Sequence, residues 1–414
     1  ESHTSSDDHR VYRSDDDIAG LRDPVRIFAD RLVDGGILTP DELEALRQEV
    51  REQVERDAAA VLDEEPHDPS TVHDHLFSPA AGAPLPAERS YASIVEAVNG
   101  ALRQGLAHYP DMVLFGEDIE DPKGGVFGFT KGLGDAGGGR VFNSPLAEAT
   151  IAGAAVGLAA TGKRPVVELQ FIDFAGPAWS QITNQLATLR WRTMGEWSCP
   201  VVMYAPYGAY LPGGGIWHSQ SNEALFTHIP GLRVVVVSHA DDAEAAFLEA
   251  FAGADPTLIL LPKHLMRIRD ADRPHPVAPG RRARLILEGS DATVVTWGNG
   301  VELATRAAET LARKSVSVEV LDLVWLCPWD RATVAESLAR TGRLIVVQED
   351  NRTSGFGASL LADITTSDDD FFSLLAPPRL VARADTHVPF HPALEAALLP
   401  DVDEVIDAIR SALG

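Results

Sequence analysis

Cysteine is nearly absent. The 414 residues hold two, Cys199 and Cys327. That excludes a disulfide scaffold and a metal site built from cysteine. It suits a reducing compartment, so the expectation is a cytoplasmic protein. Long apolar runs are missing too, and nothing approaches the roughly 20 residues that cross a bilayer. Basic residues are scarce: 35 Lys and Arg against 61 Asp and Glu leave a formal net charge of -26. Half of that excess lies in residues 1–80, where 21 acidic residues meet 8 arginines. Such a balance excludes a free-standing nucleic-acid binder, and most of it reads as a solvated acidic surface. The rest is ordinary. An apolar content of 45% and a charged content of 23% describe a globular chain, long enough for two or three domains. The sequence opens at Glu1 inside a polar loop and reads as a fragment or processed product of something longer.

The pattern along the chain falls into parts. Asp23-Pro24 opens a helix, with Val25, Phe28, Leu32 and Val33 at helical spacing. Thr39-Pro40-Asp41-Glu42 caps a second, with Leu43, Leu46, Val50, Val54 and Val61 recurring every three to four residues. Residues 78–89, rich in Pro and Ala, read as a linker. From 90 to 270, helices alternate with short apolar strands at 112–115, 165–169, 201–204, 233–237 and 257–261. Alternation of this kind predicts a parallel sheet. A second alternating unit follows, with strands at 293–297, 316–320 and 344–347 and helices after Gly300, Asp330 and Gly355.

Residues 142–185 concentrate the chemistry. Glu148 follows Pro145 at the start of a helix of small residues, in which Ala152, Gly153, Ala155, Val156 and Ala159 permit close packing on a sheet or on another protomer. A β-type run then delivers Phe174 at its C-terminal end, where ligands sit in open α/β sheets. On pattern alone, Glu148 is a first-turn acid that favours the helix dipole, and Phe174 is a core residue.

The wording of the stretch says more. Asn143-Ser144-Pro145-Leu146-Ala147-Glu148, then Glu168 and Phe174, resembles the β subunit of the thiamine-diphosphate-dependent first component of 2-oxo acid dehydrogenase complexes. So do Gly116-Glu117-Asp118, Thr130-Lys131-Gly132-Leu133 and the segment Trp217-His218-Ser219-Gln220-Ser221. His3-Thr4-Ser5-Ser6-Asp7-Asp8 with Tyr12-Arg13-Ser14 resembles the phosphate-side loop of the α subunit, most closely the branched-chain type. Asp322-Leu323, Pro328, Asp330 and Gln348-Glu349-Asp350 match the C-terminal domain of the transketolase family, which mainly supports dimerisation.

The resemblance implies an α/β fold in four parts. Residues 1–77 would be the C-terminal tail of the α-type partner, with its cofactor loop and helices, and 78–89 a linker. A pyrimidine-binding parallel-sheet domain would follow at 90–275 and a transketolase C-terminal-like domain at 285–414. The resemblance implies a lipoamide-acylating oxidoreductase in which Glu148 hydrogen-bonds the cofactor's pyrimidine nitrogen and Phe174 packs on that ring. A carboxyl in an apolar pocket has a raised pKa and can hold the proton that activation needs. Glu117 would lie near it, although an exposed loop carboxylate is the plain alternative. His218 would donate the proton for transfer to the lipoyl disulfide, and His3 would contact the diphosphate.

The implied partners are a lipoyl-bearing acyltransferase core subunit, an α-type diphosphate-binding domain and further copies in a homo- or hetero-oligomer. No membrane or nucleic acid is implied. The family's magnesium site, Gly-Asp-Gly with a distant Asn, belongs to that α domain. Gly134-Asp135-Ala136-Gly137 has no suitable Asn after it and reads as a turn. In one departure, Tyr204 stands where relatives carry Arg before x-Pro-x-Gly, a lost cation that bears on loop packing or substrate choice. Two other readings stay open. One is a transketolase-like or acetoin-cleaving enzyme; the other is a non-catalytic assembly subunit, which would have no need of Glu148, Phe174 and His218 together.

Overall fold

The computed structural model describes residue 4 and residues 6–79, 82–87, 91–269 and 282–414. His3 lies outside the described residues. The chain forms two compact units, Glu1–Val72 and His73–Gly414.

The first unit is helical. Asp23 caps the helix Pro24–Asp34 by accepting from the Val25 amide at 2.9 Å. Thr39 and Glu42 cap Pro40–Asp63 reciprocally: Glu42 accepts from the Thr39 amide at 2.8 Å, and Thr39 Oγ1 accepts from the Glu42 amide at 3.2 Å. The expected apolar spacing is present, but Val25, Phe28, Leu46, Val50, Val54 and Val61 are exposed in this single chain.

The second unit is built on two sheets. The first contains β1 (Met112–Gly116), β2 (Val141–Asn143), β3 (Arg164–Glu168), β4 (Val202–Tyr207), β5 (Arg233–Val236) and β6 (Thr257–Pro262). The second contains β7 (Arg284–Leu287), β8 (Ala292–Thr296), β9 (Val318–Asp322), β11 (Leu344–Asn351) and β12 (Arg379–Arg383). β10 (Trp325–Cys327) leaves the later segment and joins the first sheet, antiparallel to β5. The orders are β10-β5-β6-β4-β3-β1-β2 and β12-β11-β8-β9-β7. Every other pairing is parallel except β7 with β9. The expected strands are thus all present. β2, β7, β10 and β12 are additional, and each is short or lies at a sheet edge, where apolar runs are weak.

Two local expectations need correction. Gly134–Gly137 is a one-turn helix, not a plain turn. The Asp121 carboxylate accepts from the Gly132 and Gly134 amides at 2.7 and 3.0 Å and steers the chain into it. Phe174 does not end a strand. β3 stops at Glu168, and the chain enters a 3-10 segment, Ile172–Ala178, that contains Gly176-Pro177. Pro177 has no amide to donate, so the segment that carries Phe174 is suited to a tight turn of helix rather than to a ladder. The small-residue helix Glu148–Ala160 buries Ala152, Ala155 and Ala159 as its spacing implies.

A turn at Gly231 closes the loop before β5 with φ +85, and a Cβ there would strike the Ala187 carbonyl oxygen. Gly231→Ala is therefore expected to lower stability by about 2–3 kcal/mol. Urea unfolding of both proteins measures it, and an unchanged midpoint would contradict the geometry.

Candidate active site

Adjacent parallel strands β1, β3, β4 and β6 end side by side. After β1 come Glu117 and Asp118, after β3 Phe171 and Phe174, after β4 the loop bearing His218, and after β6 Lys263. This is the edge where parallel sheets place ligands.

Glu148 is the first residue of its helix, and the preceding Ala147 gives no side-chain cap. An acid here meets the positive end of the helix dipole. It is half-buried in this chain. Glu117 is buried, at 7% exposure, so the exposed-loop alternative does not hold. Its Oε1 has no hydrogen-bond partner among the described residues. Burial, then the charges of Glu148 and Asp118, push the Glu117 carboxyl above its ordinary range. The two acids are therefore close enough for the charge of Glu148 to act on Glu117. Asp118 joins two strand ends: Lys123 Nζ donates to it at 2.5 Å and Gln170 Nε2 at 3.3 Å.

Phe174 and His218 also come together. The His218 ring meets Phe171 edge-on at 4.6 Å and Phe174 at 5.4 Å, with interplanar angles of 89° and 82°. Phe127, from the glycine-rich loop after Glu117, packs on Phe171 at 5.7 Å.

Three residues here have no role that the sequence assigns. Glu168 is fully buried, and its Oε2 accepts from the Tyr204 hydroxyl at 2.7 Å. Its Oε1 has no hydrogen-bond partner among the described residues and lies against Gly125, whose φ of +79 and missing Cβ make the space. Burial pushes Glu168 up to about 7, against the opposing Tyr204 hydrogen bond. The tyrosine at the departed position thus leaves this acid a neutral partner. Asp173 accepts from the Gln220 amide at 3.0 Å, and Lys263 donates to the His218 carbonyl. Their only sequence signals are positional: one residue before Phe174, and the first residue past a strand.

The cluster His239, Asp242 and Asp322 has the spacing of a cation site. The buried Arg284 guanidinium already bonds Asp242 and His239 Nδ1, so a side-chain cation fills it.

An orphaned acid oxygen on Glu117, a glycine-made space and aromatic walls fit a flat heterocycle bearing hydrogen-bond donors. Fold and site together define a transketolase-like α/β protein. Residues 90–269 match the transketolase pyrimidine-binding domain, 281–405 the transketolase C-terminal domain, and 1–70 the dehydrogenase E1 component. The pyruvate dehydrogenase E1 component subunit beta of Leifsonia xyli is 40% identical over 340 residues, covering 81% of this chain and 99% of that protein. The 2-oxoisovalerate dehydrogenase subunit beta of Bacillus subtilis is 36% identical over 325 residues, covering 78% and 98%. A solved structure titled "Split gene transketolase, inactive beta4 tetramer" shares the fold, with a TM-score of 0.64 and 24% identity over 78% of this chain and 99% of that one. The chain belongs to the thiamine-diphosphate-dependent 2-oxo acid dehydrogenase E1 family and joins α-type and β-type segments.

The raised Glu168 carboxyl has a consequence for stability. A carboxyl raised in the folded state favours folding below its unfolded value of 4.5, and that contribution is lost as pH rises to about 7. Glu168→Gln is expected to gain on the wild type by about 3 kcal/mol between pH 4 and pH 8. Denaturant unfolding at both pH values reads the difference, and parallel behaviour of the two proteins would refute it.

Proposed function

We propose that this chain supplies the pyrimidine-side half of an active site that decarboxylates a 2-oxo acid and passes the acyl group to a lipoyl group. The supporting observation is the strand-end cluster: Phe174 and His218 ring to ring, with the Glu117–Glu148 acid pair at neighbouring positions. Thiamine diphosphate, when bound, supplies the nucleophilic carbon and the electron sink.

The chain's own groups do the rest. Glu148 holds a proton at the pyrimidine nitrogen, and the Glu117 carboxyl beside it keeps negative charge from accumulating there. Phe174 walls the ring. His218 gives a proton to the sulfur that leaves as the lipoyl disulfide opens. By resemblance the diphosphate contact falls to His3, and an α-type domain binds that diphosphate with magnesium through oxygen ligands. The acyl acceptor is a lipoyl-bearing acyltransferase core subunit, and the working assembly is an oligomer.

The relatives are named for action on pyruvate and on 2-oxoisovalerate, so the side-chain preference is a matter for assay. Pyruvate, 2-oxobutyrate, 2-oxoisovalerate and acetoin are to be offered with the α-type domain present, using lipoyl domain or a reducible dye as acceptor. Turnover of a 2-oxo acid is expected. Cofactor binding without any such turnover would favour an assembly subunit instead.

Glu148→Gln is expected to lower turnover with either acceptor by about 100-fold or more, because the amide keeps the shape but not the acidic proton. Near wild-type turnover would remove Glu148 from that role. His218→Ala is expected to lower lipoyl acylation by about 100-fold and dye-coupled decarboxylation by roughly tenfold at most. Equal losses would mean a structural role for the imidazole.

A further inference from the structure

The loop that presents His218 is held from outside at three consecutive residues. Lys263 Nζ donates to the His218 carbonyl oxygen and lies 3.2 Å from Ser219 Oγ. The Gln220 amide donates to Asp173 Oδ1 at 3.0 Å. The Gln220 carbonyl accepts from the Gly208 amide at 3.0 Å. Ser219 is fully buried and Lys263 is 6% exposed, while His218, Gln220 and Asp173 are half-buried.

Both holding residues are themselves fixed. The Lys263 amide donates to the Tyr207 carbonyl at 3.0 Å, which ties the start of its side chain to the end of β4. Its Nζ lies 5.8 Å from the centre of the Phe171 ring, one of the two rings that meet His218. Asp173 sits between those rings in sequence, on the 3-10 segment that carries Phe174. An ammonium buried this far is costly unless its donors are used. Here they go to a carbonyl and a hydroxyl, while Asp173 acts on Lys263 through its field.

We infer that Lys263 and Asp173 are positioning residues for His218. They pin the backbone beside the imidazole, so the ring stays against Phe171 and Phe174 and points its proton at one place. Neither residue touches a reacting atom. The inference rests on the reading of His218 as the proton donor to lipoyl sulfur. It explains why a cation and an acid stand behind a histidine whose ring contacts are both aromatic.

The test uses Lys263→Met, Lys263→Arg and Asp173→Ala, read in two ways. The first is amide hydrogen exchange of the full chain. The Gln220 amide is expected to exchange about tenfold faster in Lys263→Met and Asp173→Ala, and at the wild-type rate in Lys263→Arg, while amides of β6 stay unchanged. The second is the ratio of lipoyl acylation to dye-coupled decarboxylation, expected to fall about tenfold in Lys263→Met and to recover in Lys263→Arg. Unchanged exchange in Lys263→Met overturns the inference. So does an equal loss in both assays that arginine does not restore, since that is what a general packing defect gives. If the wild type passes nothing to lipoyl, the functional reading fails by itself, and the exchange comparison still decides whether the loop is pinned.

Discussion

One row of paired residues crosses the first sheet and sets the site. Asn143 lies opposite Gly116, Gly116 opposite Glu168, Glu168 opposite Tyr204, and Tyr204 opposite Ile259. The strands end at this row or within a few residues of it. A slip of one residue would turn every side chain to the other face and break the Glu168–Tyr204 hydrogen bond. Gly116 is small because it has to be: a Cβ there would lie 2.7 Å from the Glu168 carbonyl oxygen. Beyond the row, Glu117, Phe171 and Lys263 emerge at the same edge because β1, β3 and β6 run parallel, with β4 between β3 and β6. The functional groups are far apart in sequence and adjacent only through parallel register.

Charge placement follows the same logic. A net charge of -26 says little about the pocket, where the acids that count are buried and short of cations. Glu117 feels burial and then Glu148, and Glu168 has a tyrosine where a positive partner would lower its pKa. Lys263 is a buried cation on this edge, and it is directed at the His218 loop rather than at an acid. The pocket thus favours neutral carboxyls at one end and a held imidazole at the other. Those are the two states that proton exchange at a ring nitrogen and proton delivery to a sulfur need.

Much of this is legible in the sequence, for physical reasons. The interior strands are continuous Val, Ile and Leu runs because both faces are covered, and such runs stand out. The capped helices at Asp23 and Thr39 carry their start signals in four residues. Glu148, Phe174 and His218 are singled out through motif resemblance, since a lone acid, aromatic or histidine has no distinctive pattern. What escapes notice are the partners. Tyr204 reads as a lost arginine, but its hydrogen bond to Glu168 depends on register across two strands 36 residues apart. Lys263 and Asp173 act on backbone atoms, and backbone contacts leave no signature in side-chain spacing. Edge strand β10 gives no signal because it is three residues long and pairs with a strand about 90 residues earlier.

The unsatisfied acids bear on whether the site is used. A buried acceptor without a partner costs about 1–3 kcal/mol. Glu117 and Glu168 each have such an oxygen among the described residues, beside a glycine at positive φ that holds space open against Glu168. A scaffold would be more stable with apolar residues of the same size at both positions, as replacement of buried polar groups commonly shows. The Lys263 ammonium adds a further desolvation cost for the sake of one loop. Buried oxygens without a partner occur elsewhere among the described residues, at Glu223, Asp322 and Glu395, so it is the setting of Glu117 and Glu168, at strand ends beside Phe174 and His218, that suits a binding site.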